Sequence, residues 1–356
     1  MCTTSVYIQE STAAGGPIGP VYAADLFPRF LTILAASLAL LVAGSAAAQG
    51  LDEALVENFV QRMVTKHGYD ARELHGLFEQ TNRQDAVLKA ISKPAEYRPW
   101  FEYRPIFITP ERIQAGVNFW RGQAEVLARA AQTYGVPAEI IVAIIGVETF
   151  YGRNTGAYRV IDSLATLAFN YPPRAQFFAD ELENYLLLAR EEGVDPRTLT
   201  GSYAGAMGFP QFMPSSFRRF AVDFDGDGHR NIWSDRADAI GSVANYLKAH
   251  GWEADRPIVA AALASPEAEK LTTDVVLPER QIDDYVASGV RPAAVISDGS
   301  APAMLLALDA ERGNEYWFGF RNFYAITRYN HSPKYAMAVT QLAEAIKQAR
   351  GSEPQL

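Results

Sequence analysis

Through most of the chain, apolar residues return at helical spacing. Leu51, Leu55, Phe59 and Met63 recur every fourth position with Glu and Gln among the residues between, and residues 51–130 read as helical. The stretch 93–105 interrupts this pattern: Pro94, Pro99 and Pro105 forbid a continuous helix and predict an extended path. Its aromatic residues either pack against a neighbouring domain or, for Tyr103, line a cleft. Thr109 and Pro110 then open a helix as cap and first turn, with Ile113, Val117, Trp120, Ala124, Leu127 and Ala131 along one apolar face. Residues 140–147 are apolar on every side, which predicts a buried helix, begun at Pro137 and finished before Gly152. That run is too short to span a bilayer.

Asp162 starts a further helical stretch, Pro172 and Pro173 break it, and residues 174–192 form a long amphipathic helix closed by Gly193. The segment 199–216 is small, Gly-rich and almost uncharged, suited to bringing backbone close to a ligand, though a packing loop would read the same way. Residues 236–250 are helical and stop at Gly251. The texture then changes: 275–277, 294–296, 304–308 and 315–320 are short strand-like runs separated by Gly, Pro and Asp, before a last helix over 335–350. The predicted fold is mainly α with a small β domain. Its divisions are an N-terminal α domain over 49–130, a core over 131–255, the β domain over 256–322, and a C-terminal motif and helix over 323–356 that return to the core.

The residues before this body carry an address. Arg29 precedes an apolar run over 30–42, and Ala46 and Ala48 form an A-x-A ending, which predicts a secretory signal cleaved after Ala48. A membrane anchor is the competing reading, disfavoured by the short run and the small residues that follow it. Cys2, the single cysteine, lies ahead of the apolar run, so no cysteine stands at the cleavage point to take a lipid and no intramolecular disulfide can form. The net charge of −9 and pI near 5.2 argue against nucleic acid and against electrostatic capture by an anionic membrane. H-E-x-x-H, G-x-S-x-G and P-loop patterns do not occur in the sequence.

Two features point to chemistry. Glu148 is the first ionisable group after the apolar helix, at its C-terminal end. Burial and the negative end of the helix dipole both disfavour its charged form, the direction that lets a carboxylic acid donate a proton near neutral pH. Separately, Asp223, Asp225 and Asp227 occupy positions 1, 3 and 5 of a calcium-loop pattern, with Gly228 at 6, the His229 carbonyl at 7 and Asn231 at 9. Ser234 stands at position 12, where a bidentate Glu is usual, so Asp235 or Asp238 would close the shell from beyond. A plain solvated turn is the alternative, but three aspartates in register with the glycine favour calcium in a structural role.

The motifs V-E-T-F-Y-G around Glu148, G-S-Y-A-G-A-M-G-x-P-Q-F-M-P-S-S, D-x-D-G-D-G-H-x-N-x-W and N-F-Y-x-I-T-R-Y-N-H-S-x-x-Y-A-M-A-V occur in this order. Together they resemble the lytic murein transglycosylase B family. The resemblance implies a lysozyme-like helical core, an accessory α domain, a small β domain and an EF-hand-like calcium loop over 223–238. It implies periplasmic action on peptidoglycan glycan strands, with one glutamate as both acid and base. Glu148 falls on the catalytic position. Tyr103, Arg174, Ser202, Gln211, Tyr246, Tyr329, Asn330 and Tyr335 fall on cleft positions. Asp223, Asp225, Asp227, the His229 carbonyl and Asp238 fall on calcium ligands. Pro173-Arg174 stands where the family often has two arginines, and the missing lipidation cysteine departs from its lipoprotein members. A monomer with no organic cofactor and no nucleic-acid partner is expected; other cell-wall enzymes are unidentified potential partners. A hydrolytic muramidase and a non-catalytic peptidoglycan-binding protein are the alternatives weighed.

Overall fold

The computed structural model describes residues 50–92, 98–273, 277–296 and 298–352. The signal sequence and Cys2 lie outside them. Helices dominate. Glu53–His67, Ala71–Glu79 and Asp85–Ile91 are followed by Trp100–Phe107, Pro110–Gly122 and Ala124–Tyr134. Asp52, Asp70 and Thr109 cap three of these by accepting from backbone N–H groups of the first turn.

Two expectations for this half need correction. Trp100–Phe107 is helical with Pro105 inside it, where an extended path was predicted. In a helix of two turns one proline deletes a single backbone bond, and burial of Trp100 and Phe107 outweighs that loss. The helix is held between the last helix and the strand Pro302–Asp309. The single helix expected after Thr109 is two, because the chain bends at Gln123 after Gly122.

Ala138–Thr149 forms the centre of the body. Every residue from Ile140 to Gly146 is buried, together with Glu148 and Thr149. Pro137 caps this helix from outside rather than sitting in its first turn. The last helix, Pro333–Gly351, packs along it and along Pro110–Gly122. One apolar cluster runs from Phe59 and Phe78 through Trp100, Ile141 and Ile145 to Tyr335 and Ile346, so helices from both ends of the described chain share a core.

Val259–Leu263, Arg280–Gln281, Arg291–Pro292, Pro302–Asp309 and Asn314–Gly319 make one antiparallel sheet. Pro302–Asp309 and Asn314–Gly319 form its hairpin, in register from Met304↔Gly319 to Asp309↔Asn314. Period-two alternation divides its faces: Met304, Leu306 and Leu308 join the main core, while Ala303 and Leu305 join a separate cluster with Ile282, Tyr285 and Phe318. The strand expected at 294–296 is not there; the edge strand is Arg291–Pro292, and Ala294 lies in a bend. The alanine-rich strand Val259–Leu263 was not predicted, since its composition carries little β signal. Val275 and Val276, also expected in a strand, lie outside the described residues.

Candidate active site

The acid helix ends at Thr149, and Glu148 is 8% exposed. Burial raises its pKa to about 7, opposed by a hydrogen bond from Tyr335. Tyr335 comes from the first turn of the last helix, where Ser332 caps the helix and Pro333 sits in the first turn. Its hydroxyl donates to Glu148 Oε1 at 2.6 Å, across 187 residues of sequence. Burial, then the charge of Glu148, holds Tyr335 well above the ordinary tyrosine pKa, so it acts as a neutral donor. With Oε1 accepting from Tyr335, Oε2 is the oxygen from which the neutral acid would donate.

Aromatic residues surround this pair. Tyr329 is raised by burial and by Glu148, and its buried hydroxyl has no hydrogen-bond partner among the described residues. Its ring lies 4.5 Å from Tyr246 and 5.9 Å from Phe212. Tyr246 is fixed by donating to the Arg328 carbonyl and by stacking on His250 at 4.0 Å. Asn330, next to Tyr329 in sequence, is buried. Tyr103 packs between Trp100 and Phe107 and is near enough to act electrostatically on Tyr335, so packing and proximity to the site both hold for it.

The Gly-rich segment folds tightly. Tyr158–Arg159, just beyond the acid helix, pairs with Thr200–Gly201. Gly156, at φ 96°, lies so near that an added Cβ would stand 2.0 Å from the Gly201 carbonyl oxygen. Ser202 Oγ accepts from the backbone N–H groups of Ala204 and Ala206, at 3.3 and 3.0 Å, which leaves donation as its remaining role. Gln211, itself left-handed at φ 51°, spends its amide hydrogens on the carbonyls of Thr155 and Gly208. It holds the loop in shape. Arg174 differs from the others: its guanidinium lies over Phe177 at 4.3 Å and Phe178 at 5.3 Å, and none of its contacts among the described residues is with the Glu148 cluster.

Carboxylate oxygens of Asp223, Asp225 and Asp227 lie within 4.8 Å of one another, all three residues exposed. Backbone N–H groups, Gly228 first, hold Asp223 below the usual carboxylate range. Three hard oxygen donors at this spacing suit a cation such as calcium. The two candidates for closing the shell also hold the local backbone. Asp235 caps the helix Arg236–Ala249, and buried Asp238 accepts from Phe224 and Asn231 N–H, both at 2.7 Å. Asp238 braces the loop from beneath.

Sequence reasoning missed two supports. Glu181, buried in Ala175–Glu191, accepts from Ser215 N at 2.8 Å and Oγ at 2.7 Å, fixing the helix that follows the Gly-rich segment. An acid in an amphipathic helix gives no sign of this. Tyr151, two residues past the end of the acid helix, is the other: its hydroxyl donates to the Arg112 carbonyl, and nothing in its sequence context separates it from ordinary packing.

Comparison with known proteins agrees with the motifs. The family model described as "Transglycosylase SLT domain" matches residues 52–344. Membrane-bound lytic murein transglycosylase B of Escherichia coli is 48% identical over 304 residues, covering 83% of each chain. Among solved structures, soluble lytic transglycosylase SltB1 from Pseudomonas aeruginosa superposes with a TM-score of 0.79 at 56% identity, covering 83% of this chain and 99% of that one. Escherichia coli lytic transglycosylase Slt35, solved in complex with calcium, gives 0.78 at 48% identity, covering 84% and 94%. The mainly α architecture with its small sheet is thus the lysozyme-like one that the motifs implied. With a family match over most of its length and a buried acid steered by a tyrosine at its centre, the chain belongs to the SLT-domain transglycosylases and is a peptidoglycan lytic transglycosylase.

Proposed function

We propose that Glu148 acts alone, first as acid and then as base, in cutting the β-1,4 bond between N-acetylmuramic acid and N-acetylglucosamine. The observation that carries this is the Tyr335 hydroxyl on Oε1 of a carboxyl that burial keeps protonated near neutrality. In the first half, Oε2–H passes its proton to the glycosidic oxygen as the bond to the anomeric carbon breaks. In the second, the carboxylate takes the proton of the muramoyl 6-hydroxyl, whose oxygen closes on the same carbon. The product is a 1,6-anhydromuramoyl end; no water is consumed, and the acid is regenerated. Tyr335 stabilises the carboxylate between the two transfers.

A lone carboxyl is enough because the nucleophile belongs to the substrate. Glycosidases that use water or a covalent intermediate need a second carboxylate across the bond. Tyr335 acts on Glu148, and Tyr335, Tyr329 and Tyr246 feel its charge. The other buried carboxylates are engaged elsewhere: Asp162 with Arg159, Glu181 with Ser215, Glu183 with Lys66 and His67, and Asp238 with the acidic loop. Mass spectrometry of products from purified peptidoglycan tests the reading. Anhydro ends, one water lighter than hydrolysed ends, are expected, and hydrolysed ends alone would refute it. Tyr103, Ser202, Gln211, Tyr246, Tyr329 and Asn330 are assigned to shaping the cleft, and Arg174 to a more distant contact.

Asp223, Asp225, Asp227, the His229 carbonyl and Asp238 are assigned to a structural calcium ion, consistent with the calcium-bound Slt35 relative. When bound, the ion would offset most of the repulsion among three neighbouring carboxylates. The loop is tied into the body on both flanks, by Arg129 donating to the Phe224 carbonyl and by Arg230 pairing with Glu192. Calcium at about 100 times its Kd is expected to add about 2.7 kcal/mol of stability. Asp225→Asn should remove most of that gain; an equal rise in Tm for this variant, read by calorimetry, would reject the site. We also assign the chain to the periplasm, as an exported monomer divided at the domain boundaries predicted above.

A further inference from the structure

Immediately after the acid, the backbone turns sharply. Phe150 and Tyr151 both hold left-handed backbone, at φ 52° and 61°, and Gly152 follows at 89°. Two successive residues with side chains in that region are strained, and such strain survives only where the surroundings over-determine it. Here they do so from both sides. The Phe150 ring has two guanidinium groups over it, Arg112 at 4.8 Å and Arg153 at 4.6 Å. Tyr151 inserts into the junction of three helices. A Cβ on Gly146 would stand 2.6 Å from its hydroxyl oxygen, and one on Gly116 would stand 2.5 Å from that oxygen and 2.6 Å from Ile346 Cδ1. These two glycines leave the space that the ring fills. At the bottom of the slot the hydroxyl donates to the Arg112 carbonyl at 2.9 Å.

The turn also reaches the Gly-rich segment. Thr149 Oγ1 lies 3.2 Å from the Phe209 carbonyl and accepts from Gly152 N–H at 3.0 Å. Glu148 therefore stands one residue before a segment gripped by Pro110–Gly122, by the last helix and by the loop that faces it.

We propose that Tyr151 is a positioning residue: seated in the slot left by Gly116 and Gly146, it holds the left-handed turn and fixes the direction in which the Glu148 carboxyl leaves its helix. It touches no reacting atom. This deepens the single-carboxyl reading and rests on it. A group that must give a proton to one oxygen and take one from another tolerates little error in aim. A loosened turn slows the second transfer, and water then competes with the 6-hydroxyl for the anomeric carbon.

The test uses Tyr151→Phe, Gly116→Ala and their combination, with Glu148→Gln in parallel, on purified peptidoglycan. The readings are kcat, KM, Tm and the masses of the products. Tyr151→Phe removes the anchor on Arg112 without emptying the slot. Its kcat is expected to fall about tenfold at unchanged KM, and the share of hydrolysed ends to rise several-fold. Gly116→Ala is expected to lose more. Adding Tyr151→Phe to it should restore part of that loss, because phenylalanine lacks the oxygen that the new methyl group strikes. A merely structural role would lower Tm while leaving kcat per folded molecule and the product ratio unmoved. Wild-type kcat and product ratio in Tyr151→Phe overturn the proposal, and that variant alone decides if Gly116→Ala does not fold. Wild-type turnover in Glu148→Gln overturns the acid assignment instead.

Discussion

Glu148→Gln is expected to cut the release of soluble muropeptides from sacculi by at least about 10³-fold while binding to the sacculi persists. The amide matches the carboxyl in size and can still accept from Tyr335, so the cleft keeps its shape. It can neither give the first proton nor take the second. Losing both roles of one group places the loss toward the upper part of the range for acid–base catalysis. The same variant reports on the stored electrostatic cost of the site. The folded pKa of about 7 stands above the ordinary glutamate value of 4.5. Between those values the native state keeps a proton that the unfolded chain releases, so the contribution to stability is whole below about 4.5 and is lost as pH rises through 7. The loss is about 3 kcal/mol. Glutamine does not titrate. The Tm of the variant minus that of the wild type should therefore grow between pH 5 and pH 8, and a difference independent of pH would show that the carboxyl is not held neutral.

Tyr335→Phe is expected to lower kcat by roughly 10²-fold, the scale for removing one oriented donor from a developing charge. It should also move the pH profile in a definite direction. The Tyr335 hydrogen bond favours the ionised carboxyl and pulls the Glu148 pKa down against burial. Without it the pKa rises further, so the activity that falls away near pH 7 persists to higher pH. Tyr335, Tyr329 and Tyr246 each feel the charge of this carboxyl, and Tyr103 acts on Tyr335. All four are phenols, and a phenol does not titrate in that range. Tyr329→Phe is the control: it deletes a hydroxyl that has no hydrogen-bond partner among the described residues and should leave the alkaline limb in place. A limb unmoved in Tyr335→Phe, or moved to lower pH, would contradict the role given to that bond.

The helical body was largely legible because its signals are local. Fully apolar residues 140–147 announced a buried helix, and the acid following them announced a raised pKa, both of which the structure contains. Thr109 with Pro110 marked a helix start at the right residue. The misses share a cause, which is that tertiary contact overrode a local rule. Pro105 is helical because Trp100 and Phe107 are buried around it. Val259–Leu263 is a strand because Asn314–Gly319 and Arg291–Pro292 flank it, although alanine has little preference for strands. Asp238 lies where spacing put it, beside the loop, but that its oxygens also accept from the backbone N–H groups of Phe224 and Asn231 is something spacing cannot reveal. Motif resemblance supplied the cleft residues, but the pairing of Tyr335 with one particular carboxylate oxygen is visible only in three dimensions.

The proton donor and the phenol that steers it enter the polypeptide far apart, at 148 and 335 of 356 residues. A growing chain on the ribosome finishes the oily central rod long before Pro333–Gly351 exists to dock on it. A copy lacking that last helix loses both the cover over the acid and the phenol that aims it. For an enzyme that severs the mesh holding a cell against its own turgor, this order of assembly withholds the cutting edge until the molecule is whole.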